Sequence, residues 1–205
     1  FLFLLFSYSI LIPMKESKGA EAVVRESRII DNTILVKDRI AKGYRIPELD
    51  LKLRKERTRQ EARLLHRAKL AGVPCPTVFF VDEFSLGLSK IAGARPKMDE
   101  KECALAGEML SKLHNSEIIH GDFTPANLIS AKEGLFVIDF GLGFLSSDIE
   151  DKAVDVLTML KSLGANAGNG AAAIQSFLSG YQKVSNSYPK VMERVEEVKK
   201  RARYS

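Results

Sequence analysis

The chain reads His120-Gly121-Asp122-Phe123-Thr124-Pro125-Ala126-Asn127 and, one short segment later, Val137-Ile138-Asp139-Phe140-Gly141. Each stretch contributes a carboxylate, Asp122 in the first and Asp139 in the second, and Asn127 closes the first. The segment between them has two short apolar runs around a polar turn with a glycine, which predicts two strands joined as a hairpin. Such a hairpin delivers Asp139 to the loop that ends at Asn127. Carboxylate and amide oxygens gathered at one place favour Mg²⁺.

This order and spacing is typical of the protein-kinase catalytic loop, H-x-D-x-x-x-x-N, followed by D-F-G. In that chemistry Asp122 orients the attacking hydroxyl and accepts its proton, while Asn127 and Asp139 bind metal. Either motif alone is weak, because short motifs often mislead. Together, with a fitting hairpin between them, they favour phosphotransfer over an Asp and an Asn that merely stabilise turns.

Composition bounds the protein class. The chain has 205 residues, of which 45% are hydrophobic and 28% charged. This balance is that of a globular protein and not of a disordered one, and the length suffices for one compact domain or two small lobes. The formal net charge of +5 favours an anionic partner such as a nucleotide, a nucleic acid or an acidic protein face, without choosing among them.

The two cysteines, Cys75 and Cys103, have no redox-motif or metal-ligand spacing. We interpret them as buried free thiols of a reducing compartment and expect a cytoplasmic protein. With three histidines in the whole chain, a zinc site is not expected.

The first residues, Phe1 to Ile12, are almost wholly apolar. The run is shorter than the roughly 20 residues that span a bilayer, and it lacks the basic region and cleavage site of a signal peptide. We interpret residues 1–13 as a spurious extension before a start at Met14, with a native hydrophobic arm or anchor as the alternative. No membrane association is expected.

Residues 22–40 predict antiparallel strands, with runs at 22–24, 28–30 and 33–37. A polar connector over 42–53 and a helix from about Arg54 to Ala71 follow. Glu61 shares an apolar stripe of this helix with Leu64, Leu65 and Ala68, so it would face the core. A buried carboxylate needs a cation, and Lys37 at the end of its strand is the candidate. The alternatives are pairing with Arg57 or exposure to solvent.

Further strands are predicted at 77–81 and from Leu86, and the stretch 89–93 is interpreted as a hinge crossing. Backbone groups there, at Ser89 and Ile91, would bind the edge of an adenine ring. Helices are predicted over 99–116, with Asp99 as N-cap and Glu102 completing a capping box, and over 149–163, 171–184 and 188–203.

Asp155 interrupts an apolar run in the helix after D-F-G. It would accept hydrogen bonds from the catalytic-loop backbone or else face solvent. No A-P-E motif and no long activation segment follow Gly141, so the usual peptide-docking platform of protein kinases is missing.

Several blocks are more specific than general kinase motifs: residues 18–22 (KGAEA), 44–50 (YRIPELD), 57–65 (RTRQEARLL), 139–144 (DFGLGF) and 150–155 (EDKAVD). In these the chain resembles the small atypical kinase subunit of the KEOPS complex, the p53-related protein kinase family. The resemblance covers nearly everything from Lys18 to Tyr204.

The resemblance implies an α+β, protein-kinase-like bilobal fold. Residues 14–93 would form a small antiparallel-sheet N-lobe, and residues 94–205 a minimal helical C-lobe with a basic tail. It further implies ATP and Mg²⁺ binding, Ser/Thr autophosphorylation, and ATPase action within KEOPS, which makes threonylcarbamoyl-adenosine in tRNA. The threonylcarbamoyl-transferase subunit would dock on the C-lobe, a small accessory subunit on the N-lobe, and tRNA indirectly or through the tail.

By the same resemblance Lys37 would contact the α and β phosphates, Glu61 would hold Lys37, and Asp122 would be the catalytic aspartate, with Asn127 and Asp139 as metal ligands. The phosphate-covering turn would be formed by Gly19, Ala20, Glu21 and Ala22. The basic tail would include Arg201 and Arg203. The chain departs from the usual kinase pattern in its single phosphate-loop glycine, and from the family in an Arg-Ala-Arg tail where Arg-Gly-Arg is usual.

Two other functions compete with this one. A small-molecule phosphotransferase of the aminoglycoside- or choline-kinase type also uses an H-G-D loop, but normally carries a larger C-terminal substrate region. A non-catalytic nucleotide-binding scaffold would keep the fold without the chemistry. The sequence leaves open any physiological protein substrate, the oligomeric state, and whether the tail contacts tRNA or nucleotide.

Overall fold

The computed structural model of this chain describes residues 16–18, 22–29, 32–165 and 170–201. The chain divides into two compact units. The first unit comprises the described residues up to Ala62 together with Pro76–Lys90, and the second comprises Arg63–Cys75 and the described residues from Ile91 onward. The sequence-based division between residues 93 and 94 remains a prediction.

The first unit contains an antiparallel sheet in the order β1-β2-β3-β5-β4. Its strands are β1 (Glu16–Lys18), β2 (Ala22–Ile29), β3 (Asn32–Arg39), β4 (Val78–Val81) and β5 (Ser85–Ser89). Side chains alternate along β3, where Ile34 and Val36 are buried in the core and Lys37 and Arg39 lie on the opposite face. The sequence did not predict β1, and it divided the continuous β2 into two runs.

Helix α1 (Pro47–Leu70) begins well before the predicted start at Arg54. Pro47 occupies the first helical position, where its missing N–H costs no hydrogen bond, and Glu48 and Asp50 favour the positive end of the helix dipole. The prediction of a polar connector over 42–53 was therefore wrong, because a proline that starts a helix looks like a proline in a loop. The helix passes through Ala62, where the first unit ends.

The second unit is mostly helical. Its helices are α2 (Glu100–Asn115), α3 (Ile149–Gly164), α4 (Gly170–Val184) and α5 (Tyr188–Arg201). Its short strands are β6 (Gly93–Ala94), β7 (Ile118–Ile119), β8 (Leu128–Ala131), β9 (Gly134–Val137) and β10 (Phe144–Leu145). The predicted hairpin between the two motifs is confirmed, since β8 pairs with β9 from Leu128↔Val137 to Ala131↔Gly134.

The predicted helix boundaries agree with the structure to within one to two residues at almost every end. Asp99 caps α2 by accepting a hydrogen bond from the Glu102 N–H at 2.8 Å. The Glu102 carboxylate accepts a hydrogen bond from the N–H of Met98. In a capping box it would accept from the N–H of the N-cap residue, Asp99, which is one residue later. The predicted box is thus displaced by one residue.

Helices α2 and α4 approach each other backbone to backbone. A Cβ at Gly107 would collide with the carbonyl oxygen of Phe177, and a Cβ at Gly180 would collide with that of Ala104. Glycine at both positions is what allows this distance. The contact closes one side of the core around the fully buried Phe177 and Tyr181.

Cys75 and Cys103 are both free and buried, as predicted. Burial raises the pKa of each thiol to about 11, so neither is a reactive nucleophile near neutral pH. In the described part of the chain, no helix combines the length and the apolar character that crossing a bilayer requires.

Candidate active site

In the first unit, the strand β3 and the helix α1 bring Lys37 and Glu61 together. The Lys37 Nζ lies 2.8 Å from Glu61 Oε1, and the Glu61 side chain is almost completely buried. The ion pair predicted from the apolar stripe is therefore present, and the alternative in which Glu61 reaches solvent is wrong, since this residue is 1% exposed. The catalytic roles of both residues remain predictions.

Glu61 has a second cationic partner that the sequence analysis missed. The Arg39 guanidinium donates to Glu61 Oε2 at 2.5 Å, and its side chain is buried. The signal was available, because Arg39 lies two residues beyond Lys37 and strand alternation places both on the same face. Lysine and arginine thus divide the two oxygens of one carboxylate.

Besides Lys37, the structure describes three of the residues predicted to bind nucleotide. Gly19, Ala20 and Glu21 lie outside the described residues, whereas Ala22 is buried at the start of β2. Ser89 donates its N–H to the Thr77 carbonyl at 2.8 Å, so this donor already serves the sheet. Ile91 follows β5 in the second unit.

In the second unit, Asn127 holds Asp122 in place. Its side-chain amide Nδ2 donates to both the backbone carbonyl and the Oδ2 of Asp122, each at 2.8 Å. A single turn of 3₁₀ helix over Pro125–Asn127 positions this amide. Because Nδ2 is occupied by Asp122, the Oδ1 oxygen is the atom of Asn127 suited to a metal ion.

Asp139 has an unusual backbone conformation, with φ at 59°. Few residues other than glycine accept this left-handed region, and aspartate is one of them. The Ile138 N–H donates to the Asn127 carbonyl at 2.9 Å, so the residue before Asp139 is hydrogen-bonded to the catalytic loop. The carboxylate accepts the Gly141 N–H at 3.1 Å.

The His120 side chain hydrogen-bonds to the backbone of both motifs, at Ile138 and at Asp122. Its Nε2 lies 3.1 Å from the Ile138 carbonyl oxygen, and its Nδ1 accepts the Asp122 N–H at 3.3 Å. These partners require a neutral ring with its proton on Nε2. Burial lowers the pKa of His120, which favours the same neutral form.

Asp155 anchors the catalytic loop from α3, as one of the two sequence interpretations predicted. Its carboxylate accepts the N–H groups of His120 at 2.6 Å and Gly121 at 2.9 Å. It also accepts from His114 Nε2 at 3.4 Å, and the His114 Nδ1 lies 2.7 Å from the Tyr181 hydroxyl. This buried chain of hydrogen bonds extends from the loop to α4, and the sequence did not reveal its last two members.

The C-terminal arginines are only partly described. Arg201 ends α5 and lies 3.1 Å from Glu150, which also pairs with Arg194 at 3.2 Å. The hydrogen bond from Arg201 lowers the pKa of Glu150. Arg203 lies outside the described residues, so the predicted reach of the tail stays a prediction.

Metal binding by side chains alone is not indicated. Within the described ranges, no group of three or more histidines, cysteines, aspartates or glutamates is placed to hold an ion. Mg²⁺ is commonly held by one or two carboxylates with substrate phosphates and water. Asp139 and the Asn127 Oδ1 are hard oxygen donors of that kind, and the residues therefore fit Mg²⁺ together with a nucleotide.

Residues 36–158, from β3 into α3, match the RIO domain family. The match covers more than half of the chain and includes every residue discussed above from Lys37 to Asp155. The chain belongs to the RIO domain family. Its fold is protein-kinase-like.

Curated relatives place this RIO domain more narrowly. A protein of Archaeoglobus fulgidus named probable serine/threonine-protein kinase BUD32 homolog is 40% identical over 93% of this chain and 96% of its own length. The probable bifunctional tRNA threonylcarbamoyladenosine biosynthesis protein of Methanosarcina mazei is 41% identical over 91% of this chain. This chain spans only 35% of that longer relative.

Solved structures confirm the predicted fold class. The Rio2 kinase of Chaetomium thermophilum, in a complex with ADP, Mg²⁺ and phosphoaspartate, superposes over 96% of this chain and 73% of its own at a TM-score of 0.65 and 12% identity. An amicoumacin kinase, bound to AMP-PNP, Ca²⁺ and amicoumacin, covers 92% of this chain and 79% of its own at a TM-score of 0.64 and 10% identity. At such identities these likenesses concern the fold alone.

Proposed function

We propose that this chain is an ATP- and Mg²⁺-dependent Ser/Thr kinase and ATPase that works as a subunit of the KEOPS complex and supports threonylcarbamoyl-adenosine formation in tRNA. The name of the Methanosarcina relative supports the tRNA modification, and the BUD32 homolog supports the kinase activity. The BUD32 homolog also matches this chain over almost its full length, so a protein of this size exists on its own.

The Lys37–Glu61 pair is the observation that carries the proposal. A lysine on a central strand, bonded at 2.8 Å to a buried helical glutamate, is the arrangement with which kinases bind nucleotide phosphates. In this mechanism Lys37 contacts the α and β phosphates. Glu61 fixes the direction of its ammonium group, so that less side-chain entropy is lost when a nucleotide binds.

The chemical step falls to residues of the second unit. Asp122 orients the attacking oxygen, which is a substrate hydroxyl in the kinase reaction or water in the ATPase reaction, and accepts its proton. The bond from this oxygen to the γ-phosphorus of ATP forms as the bond from that phosphorus to the β–γ bridging oxygen breaks, and ADP leaves. Asn127 keeps the Asp122 carboxylate in one orientation through two hydrogen bonds of 2.8 Å. Preorganisation of this kind is a major source of catalytic power in phosphoryl transfer.

Asp139 and the Asn127 Oδ1 would hold Mg²⁺. When bound, the ion supplies charge neutralisation for the phosphate oxygens. The left-handed backbone of Asp139 and its bond from the Gly141 N–H fix where this carboxylate points.

Partner subunits would find exposed apolar side chains on each unit. In the second unit, Leu142, Leu145 and Val154 are each about half exposed, and in the first unit Tyr44 is 78% exposed beside Ile46. Exposed apolar groups of this size often mark protein interfaces. We assign the second unit to the threonylcarbamoyl-transferase subunit and the first to a small accessory subunit, with tRNA contacted indirectly or through the basic tail. Free, unreactive thiols fit a cytoplasmic setting.

The decisive experiment measures ADP release with Mg²⁺ and ATP, for the chain alone and with the purified transferase subunit and tRNA. Asp139→Asn is the test variant, because asparagine tolerates a positive φ and alanine does not. Asp151→Asn, on the first turn of α3, is the matched control. We expect turnover that rises with the partner, disappears in the Asp139 variant and persists in the control.

Nucleotide binding without hydrolysis in any combination would instead support the scaffold alternative. Specific turnover of a small alcohol or an aminoglycoside would support the small-molecule phosphotransferase. The match of residues 36–158 to the RIO domain family argues against a small-molecule phosphotransferase. Autophosphorylation on serine or threonine, followed by mass spectrometry of the product, tests the kinase part separately.

A further inference from the structure

Arg39 is the least expected member of the group around Glu61. The two oxygens of the Glu61 carboxylate have different partners, Lys37 Nζ at 2.8 Å on Oε1 and the Arg39 guanidinium at 2.5 Å on Oε2. The Arg39 side chain is only 4% exposed, whereas that of Lys37 is 12% exposed. The arginine is therefore the more deeply buried of the two cations.

The backbone of Arg39 is held at both of its polar groups. Its N–H donates to the Phe84 carbonyl at 3.0 Å, and its own carbonyl accepts from Arg54 at 3.4 Å. Arg54 in turn bonds Asp50 at 2.7 Å, within the first turns of α1. The guanidinium thus extends from a fixed point of the strand to a fixed point of the helix.

Two consequences follow from elementary electrostatics. A carboxylate whose one oxygen is bonded to a planar, fixed guanidinium cannot rotate freely, so its second oxygen stays directed at Lys37. Lys37, Arg39 and Glu61 together carry one net positive charge. The Arg39 charge offsets that of the Glu61 carboxylate, so Glu61 cancels less of the attraction of Lys37 for phosphate than it would in a one-to-one pair.

Kinases with a long activation segment use it, together with movement of the glutamate helix, to bring the lysine and the glutamate together. Here only a short segment that contains β10 separates Gly141 from the start of α3 at Ile149. Within the first unit, the buried Arg39 guanidinium supports Glu61.

We propose that Arg39 is the positioning residue of this site: by holding Glu61, it orients Lys37 for phosphate before any nucleotide is bound. This inference rests on the proposed use of ATP. Arg39 acts through Glu61 and does not itself touch the substrate.

The test is a double-mutant cycle on ATP turnover with Arg39→Met, Glu61→Gln and both together. Methionine keeps much of the aliphatic volume of arginine, and Glu61 retains Lys37 as a partner, so we expect the variant to fold. Arg25→Met, on the neighbouring strand β2, is the matched control, since Arg25 is half exposed and pairs with Asp38. Urea unfolding of each variant is measured alongside KM for ATP and kcat.

We expect Arg39→Met to lower kcat/KM about tenfold in the native background and less than about twofold in the Glu61→Gln background, the signature of two coupled residues. Arg39→Lys restores the positive charge without the planar fork. The Arg39→Lys variant should therefore have a KM for ATP close to that of the native chain and a kcat between those of the native chain and Arg39→Met.

Equal losses in the two backgrounds would overturn the inference, as would native kinetics in Arg39→Met. If the native chain neither binds nor hydrolyses ATP, the proposed function fails first and the inference fails with it. A native chain that turns over ATP while the cycle shows no coupling removes only the role of Arg39.

Discussion

Glu61 in the first unit and Asp155 in the second are both carboxylates with 1% exposure, yet they are neutralised in opposite ways. Glu61 is bonded by two cationic side chains, Lys37 and Arg39. Asp155 is bonded by two backbone N–H groups of the catalytic loop and by a neutral histidine. One carboxylate sets the direction of side chains, and the other sets the path of the main chain.

The difference predicts where damage is felt. Removing Glu61 leaves a working fold with misdirected cations, because long side chains find other positions or reach solvent. Removing Asp155 leaves the buried N–H of His120 without an acceptor, and a buried N–H has no such freedom. Stability should therefore depend mainly on Asp155, and catalytic rate on both.

The largest effect on stability is expected for Asp155→Ala. The buried N–H of His120, the part-buried N–H of Gly121 and the buried His114 side chain lose their acceptor, which should cost about 3–5 kcal/mol of unfolding free energy. Urea denaturation measures it, with Asp151→Ala on the same helix as the control. A loss as small as that of the control would show that water replaces the carboxylate and would break the comparison.

A second effect comes from pH, because Asp155 is hydrogen-bonded to two histidines, His114 and His120. Burial lowers the pKa of His114 and of His120 in the folded chain below the 6.5 typical of an unfolded one. Below pH 6.5 the unfolded chain therefore binds protons that the folded chain does not, and stability falls as pH falls. Between pH 7.5 and 5.5 the loss reaches at most about 1.4 kcal/mol for each histidine that stays neutral in the folded chain.

Urea unfolding at several pH values measures this slope, and His114→Gln should reduce it by about half. An unchanged slope in that variant would mean that His114 takes up its proton in the folded chain at the same pH as in the unfolded chain. Its partners would then differ from those described, because Nδ1 would donate instead of accepting from Tyr181.

A third experiment separates the two cations of Glu61. Glu61→Gln leaves both without a full counter-charge and should cost about 2 kcal/mol, whereas Lys37→Met leaves the Arg39–Glu61 pair intact and should cost under about 1 kcal/mol. Both variants should lose most ATP turnover. Equal stability losses would show that Lys37 and not Arg39 is the main partner of the carboxylate.

The smallest effect is expected for Glu150→Gln. Glu150 also has two cationic partners, Arg194 and Arg201, but its side chain is 41% exposed. Solvent screens such pairs, so the urea midpoint should move by little more than the error of measurement. A clear destabilisation that disappears in high salt would show that the number of cationic partners of a carboxylate matters more than its burial. The contrast drawn between Glu150 and Glu61 would then be wrong.

Local patterns predicted much of this architecture. The hairpin of β8 and β9 follows from two apolar runs around a turn, and the bounds of α3, α4 and α5 follow from helical spacing and caps. The partnership of Lys37 with Glu61 follows from one rule, that a carboxylate in an apolar stripe needs a cation. Such inferences succeed because each depends on residues close in sequence or on a single missing partner.

The remaining features depend on tertiary contacts with several possible solutions. The early start of α1 depends on Asp50, which is buried beside Arg45 and Arg54, and a sequence does not show which arginines fold back onto it. Likewise, nothing local links His114 to Tyr181, which are separated by the whole catalytic loop. Arg39 was missed for a simpler reason, because one cation already satisfied the rule applied to Glu61.

The backbone contact between α2 and α4 also has a topological meaning. Gly107 and Gly180 are the two ends of one closed loop of chain. That loop contains Asp122, Asn127, Asp139 and Asp155. One loss of chain entropy, on closing this loop, therefore brings all four residues into a single closed segment. A methyl group at either glycine would push α2 and α4 apart. We expect it to lower the rate of phosphate transfer although it changes none of the residues that carry out the reaction.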